Sequence, residues 1–165
     1  MMSVLQHLIE ALRNELQQYG EILALLDHQK EIVLLRGADE ILHSISAINA
    51  QSATIQSARE KRAGSQHQLA EALGQPADAT FAKLVPLMPE QYRPLVTALV
   101  QENNELLLRV RQRAEQNHLL LEHSLDLMQR FITTLSPQDQ SPRANGEEAK
   151  PPVSQSRSSL YDAIA

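Results

Sequence analysis

The chain has 165 residues, 42% of them hydrophobic but only 3% aromatic, with five glycines and no cysteine. This Leu-rich, ring-poor, Gly-poor composition points to one domain of helices packed on helices, not a sandwich or barrel, and excludes disulfides, Cys-ligated zinc, iron–sulfur clusters and thiol catalysis. A formal net charge of −5 gives no cation excess for non-specific nucleic-acid binding, no apolar run approaches the roughly 20 residues that span a bilayer, and Met1-Met2-Ser3 lacks the features of a signal peptide, so a soluble cytoplasmic protein is expected.

The first predicted helix runs from about Ser3 to Leu35. Ser3 is a favourable N-cap, and Leu5, Leu8, Leu12, Leu16, Tyr19, Leu23 and Leu26 recur at three- and four-residue steps. Gly37 marks its stop. Asp39 is then expected to cap a second helix reaching about Leu73. Its seam alternates four and three through Ile41, Ile45, Ile48, Ser52, Ile55, Arg59, Arg62, Gln66, Leu69 and Leu73, which is a heptad. Gly74 and Pro76 end it.

Residues 75–94 carry four prolines and form a connector. A short helix is predicted near Thr80–Val85, with Phe81, Leu84 and Val85 as its apolar contacts. The last helix is predicted from Gln91 or Pro94 to Leu135. Its seam is Leu95, Leu99, Asn103, Leu106, Val110, Arg113, Asn117, Leu120, Ser124, Leu127, Phe131 and Thr134, widened by Val100, Leu107, Ala114, Leu121, Met128 and Leu135. Tight connections make successive long helices antiparallel. The expected fold is all-α: an elongated antiparallel three-helix coiled-coil bundle with a short connecting helix. That helical domain is residues 1–135.

Composition breaks at Ser136. Residues 136–159 are rich in Pro, Ser, Gln and charge, with Val153 as their one large apolar residue. Such a stretch buries too little surface to offset its ordering entropy, so residues 136–165 are expected to be a disordered tail. The tail ends in Leu160-Tyr161-Asp162-Ala163-Ile164-Ala165, which is apolar again. That peptide reads either as a docking motif or as a frayed end.

Glu-x-x-His occurs twice, at Glu40–His43 and Glu115–His118, which is a di-iron bundle pattern. Phase argues against it. His43 lies two residues beyond seam position Ile41, and Glu115 two beyond Arg113, so each is turned about 200° away. No phosphate loop and no nucleophile elbow is present. Metal, cofactor and catalysis are therefore not expected. Arg59, Lys61 and Arg62, with Arg109, Arg111 and Arg113, form small basic clusters. Neighbouring glutamates and the lack of interleaved rings favour solvated faces and interhelical ion pairs over a nucleic-acid patch.

Two features of the seams carry information. Polar residues such as Ser52, Arg62, Asn103 and Asn117 cost stability and either fix register or keep the bundle plastic. The last helix also carries surplus apolar residues, Leu108, Leu119, Leu125 and Ile132 among them. Either the connector around Phe81 or a partner covers that surface. The candidate partner surface is Leu119, Leu125, Met128 and Ile132, with Leu121 on its edge.

Three pieces together resemble the FlgN family of flagellar type III export chaperones. They are Leu12-Arg13-Asn14-Glu15-Leu16-Gln17-Gln18-Tyr19 followed by Leu23-Ala24-Leu25-Leu26, then Glu102-Asn103-Asn104-Glu105-Leu106-Leu107-Leu108, then the terminal Leu160-Tyr161-Asp162-Ala163. The resemblance implies a cytoplasmic, non-enzymatic chaperone. Its cargo would be hook-associated proteins, bound through their C-terminal helical segments and kept from premature association. Delivery would be to the cytoplasmic domain of the export gate protein FlhA. It also implies export-gate docking by Leu160 and Tyr161, although Asp162 and Ala165 stand where the family's ending carries glycine. The alternative is a structural coiled-coil protein that self-associates through the same surface without cargo.

Overall fold

A computed structural model describes residues 1–35 and 37–135. Four α-helices follow in order: α1 (Met2–Leu35), α2 (Ala38–Ala72), α3 (Phe81–Leu84) and α4 (Arg93–Leu135). Two short 3₁₀ turns, Val85–Leu87 and Glu90–Tyr92, join α3 to α4. No strand occurs among the described residues. The expected bounds hold to within one to three residues, and two of the expected caps do not. Helix α1 already begins at Met2, so Ser3 lies inside its first turn. The N-cap position of α2 is Gly37, with no side-chain cap bond. Asp39 and Glu40 instead sit in the first turn, where negative charge favours the helix dipole.

The end of α2 is chemically explicit. Gly74 adopts φ +65°, the left-handed conformation that glycine takes without a Cβ clash. The Gly74 and Gln75 amides then donate to the carbonyls of Glu71 and Ala70 at 3.0 and 2.9 Å, closing a Schellman motif. This reverses the chain into the connector.

Helix α1 is the axis of the molecule. It packs along both α2 and α4, and the two outer helices are not packed against each other along their backbones. A helix flanked on two sides must bury more than one stripe. Leu5, Leu8, Leu12, Tyr19 and Leu26 are buried as the periodicity predicts, but so are Ile9, Glu15, Gln18, Ile22, Gln29 and Ile32.

Cross-helix bonds give the directions. Gln29 meets Ser44, and Gln51 meets Gln18, so residue numbers rise on α1 as they fall on α2. The pair is antiparallel. Asn103 bonds the Leu12 carbonyl and Asn117 the Leu26 carbonyl, both at an offset of 91 residues. A constant offset means that α4 runs parallel to α1. The topology is up, down, up.

The apolar interior has two parts. One gathers Leu5, Leu8, Leu12, Leu69, Leu84, Met88, Val96 and Leu99 near the connector. The other gathers Tyr19, Ile22, Leu26, Ile48, Ile55 and Val110 further along. Each fully buried Leu or Ile contributes about 2 kcal/mol. Phe81 packs on the first core, together with Val85 and Tyr92. The connector therefore covers the start of α4 and not its end.

Candidate functional site

Between the two cores lies a polar layer. Glu15 is buried, 3% exposed as a residue. It accepts from the Tyr19 hydroxyl at 2.8 Å and from Arg62 Nε at 2.7 Å. Arg62 Nη1 donates to Gln66 Oε1 at 3.0 Å, and Gln66 Nε2 donates to the Ala79 carbonyl at 2.9 Å. The chain of bonds links α1, α2 and the connector. Burial, then the negative charge of Glu15 and the bond to it, push the Tyr19 hydroxyl well above its ordinary pKa. This layer lines a groove of about 300 Å³ where α2 and α4 part, with Phe81 on its wall. These bonds tie α1, α2 and the connector together, as a structural polar layer does. Arg113 likewise pairs with Asp27 of α1 at 2.7 Å. Arg62 and Arg113 thus make interhelical ion pairs, as expected for seam cations.

The Glu-x-x-His pairs do not converge. Glu40, His43 and Glu115 are exposed, and His118 lies 3.1 Å from Glu122 on its own helix. Among the described residues no three His, Asp or Glu side chains come together as a metal site would require.

Among the described residues, the far end of α4 has no partner helix. Extending the α1–α4 offset places Leu35, the last residue of α1, beside Asp126. Helix α4 continues to Leu135, about 13 Å further at 1.5 Å per residue. The last buried residue of its seam is Asn117. Leu127, Phe131 and Thr134, expected inside the bundle, are exposed. Their seam outlasts the helix it packs on. At the other end, Leu95 is exposed too, and Val96 takes its place in the core.

At 100° per residue the apolar side chains of this end form one arc about 180° wide. It runs from Leu127 through Phe131, Ser124, Met128 and Ile132 to Leu125. Phe131 is 63%, Ile132 64% and Leu125 63% exposed. Ser124, Leu127, Met128, Phe131 and Ile132 line a shallow open depression. Asp126 and Arg130 pair with each other at 2.9 Å on the opposite, polar side. Of the residues proposed from sequence, Leu125, Met128 and Ile132 lie together on the arc. Leu121 is on it but half-buried. Leu119 is exposed yet falls about 80° outside the Leu127 edge. Leu127 and Phe131 join the arc although periodicity assigns them to the seam. The signal that separates them is length: α4 has 43 residues and α1 has 34.

Leu160 and Tyr161 lie outside the described residues. Among the described residues no helix is long and apolar enough to cross a membrane.

The model of the family described as FlgN protein matches residues 1–151. The chain belongs to the FlgN family. FlgN proteins are flagellar export chaperones and not an enzyme family. No curated protein and no solved structure matches the chain at a significant level.

Proposed function

We propose that this FlgN protein receives the C-terminal helical segments of hook-associated proteins on the apolar arc at the end of α4. Leu125, Met128 and Ile132 are the centre of that surface, with Leu121 on its edge, Leu127 and Phe131 extending it and Leu119 flanking it. The chaperone works in the cytoplasm, keeps its cargo from premature association and escorts it to the export gate. Leu160 and Tyr161 dock on the cytoplasmic domain of FlhA.

The observation that carries the cargo assignment is the overhang. Among the described residues, a heptad seam continues past its partner helix with large apolar side chains exposed. A cargo terminal helix is amphipathic and can supply the missing partner, helix against helix. Burying ~600 Å² of apolar surface is worth ~15 kcal/mol gross at 25 cal/mol per Å². Ordering the cargo and immobilising it offset much of this, which leaves a complex that can still release.

Co-purification with the C-terminal segment of a hook-associated protein tests the surface. Leu125→Asp with Ile132→Asp is expected to abolish capture while circular dichroism stays helical. Undiminished capture by that folded variant would place the cargo elsewhere. Light scattering separates the chaperone from a self-associating coiled coil, whose tight dimer would bury the same arc.

A further inference from the structure

Two grooves share Phe81, Val100 and Asn104 in their walls. The first is the groove of about 300 Å³ over the polar layer, bordered by Arg59 and Arg62 of α2 and by Leu107 of α4. The second, of about 450 Å³, is bordered by Val85 and Pro86 of the connector and by Leu108 of α4. We propose that this double groove docks an acidic amphipathic helix of a partner protein other than the cargo. The partner's apolar side chains enter beside Val85 and Leu108, and its carboxylates meet Arg59 and Arg62.

Charge complementarity selects the occupant. The charged side chains lining the first groove are Glu15, Arg59 and Arg62. Two guanidiniums stand there for one carboxylate, so the lining is net positive in a chain whose formal charge is −5. Arg59 and Arg62 are three residues apart on α2 and both are partly exposed, which sets them side by side towards an incoming acid. The charged residue lining the second groove is Glu105, which accepts from Gln101 Nε2 at 2.8 Å. It lies about 200° around α4 from Leu107, away from the arginines, so a carboxylate placed at the arginine end avoids it.

The dimensions suit a helix. The α4 residues bordering the grooves run from Thr97 to Leu108, about 16 Å or three turns at 1.5 Å per residue. Leu108 is 57% exposed, and Phe81, Val85, Val100 and Leu107 are half-buried. An apolar stripe laid along α4 covers them, helix against helix. Leu125, at the centre of the proposed cargo surface, lies about 25 Å further along α4. Helices are about 10–12 Å wide, so cargo and the second protein fit on the chaperone together.

A titration of the full-length chain, isotopically labelled at its methyl groups, tests the surface. The probe is a synthetic helical peptide of about 15 residues whose leucines and glutamates share one face. Saturable shifts are expected at Val85, Val100 and Leu108, and not at Leu125 or Ile132. Exchanging the peptide's glutamates for glutamine should weaken binding about three- to tenfold, and Leu108→Asp in the protein about tenfold. Arg59→Glu should lose the glutamate peptide and gain its lysine counterpart, a reversal that a merely structural arginine does not produce. Absence of shifts at Val85 and Leu108 overturns the proposal, as does equal binding of the glutamate, glutamine and lysine peptides. Heparin is a polyanion without an apolar face. If it shifts the same methyls more tightly than the peptide, and equally in wild type and Leu108→Asp, the groove takes polyanions and the helix reading fails. Displacement of the peptide by a hook-associated protein's C-terminal segment also overturns the proposal, because the groove then belongs to the cargo site. The peptide titration itself contains no cargo, so failure of the cargo assignment on the end of α4 leaves it standing.

Discussion

Asn103 and Asn117 stand two heptads apart on α4 and donate to carbonyls two heptads apart on α1, Leu12 at 3.0 Å and Leu26 at 2.7 Å. The two bonds repeat one geometry and so mark one parallel register. Asn117 also donates to Gln29 Oε1 at 3.1 Å. Neither Asn Oδ1 has a hydrogen-bond partner, although both are buried. Such groups cost stability in a low-dielectric interior. Here that cost accompanies the specification of register, the best-attested use of a polar seam residue.

Replacing both with leucine should therefore stabilise the fold and loosen its register. Asn103→Leu with Asn117→Leu is expected to raise Tm by about 3–8 °C, from about 1 kcal/mol gained. Thermal melting followed by circular dichroism measures it. A fall in Tm would show that the bonds to α1 outweigh the two unpaired oxygens.

The polar layer behaves oppositely. Arg62→Ala removes the 2.7 Å ion pair from the buried Glu15 carboxylate, which keeps the bond from the Tyr19 hydroxyl. Because the Arg62 side chain is partly exposed, water recovers some of the loss, and about 2 kcal/mol of destabilisation is expected. Glu15→Gln, which removes the charge but keeps the shape, should cost less. Urea unfolding of the two variants gives the comparison, and equal stability to wild type in both would mean that the pair is idle.

Tyr19 gives a pH signature. Its folded pKa is raised above the ordinary value near 10 by burial and by Glu15. The unfolded chain therefore releases this proton first. The Tyr19 contribution is complete below pH ~10 and is lost as pH rises from there towards the folded pKa. Tyr19→Phe should lower stability at pH 8 and make its decline between pH 9 and 11 shallower. Parallel declines in the two proteins would contradict the raised pKa.

The overhang makes a prediction about stability as well as binding. Phe131→Asp and Leu127→Asp replace exposed side chains, so each should shift Tm by less than about 2 °C. Val110→Asp, at a fully buried seam position, should unfold the protein. Large destabilisation by Phe131→Asp would mean that the seam is covered to its end.

Much of the fold was legible in the residues. Four-and-three spacing, Gly37, Gly74 and the prolines of 75–94 set helix type, number and approximate bounds, because those signals act within a few residues of chain. The second buried stripe of α1, with Ile22 and Glu15, was not legible. Which helix lies in the middle depends on three elements meeting, not on the periodicity of one. Leu125, Met128 and Ile132 were visible as surplus apolar residues. Leu127 and Phe131 were hidden, since a seam residue reads the same whether or not a partner helix reaches it.

Composition and spacing by themselves determined that this chain is a set of long helices with more leucine than its seams need. Only the tertiary structure decided where the surplus is exposed. The register fixed by Asn103 and Asn117 brings the end of α1 level with Asp126, and α4 continues to Leu135. Local spacing specifies faces, whereas register and relative length specify which part of a face is left without a neighbour.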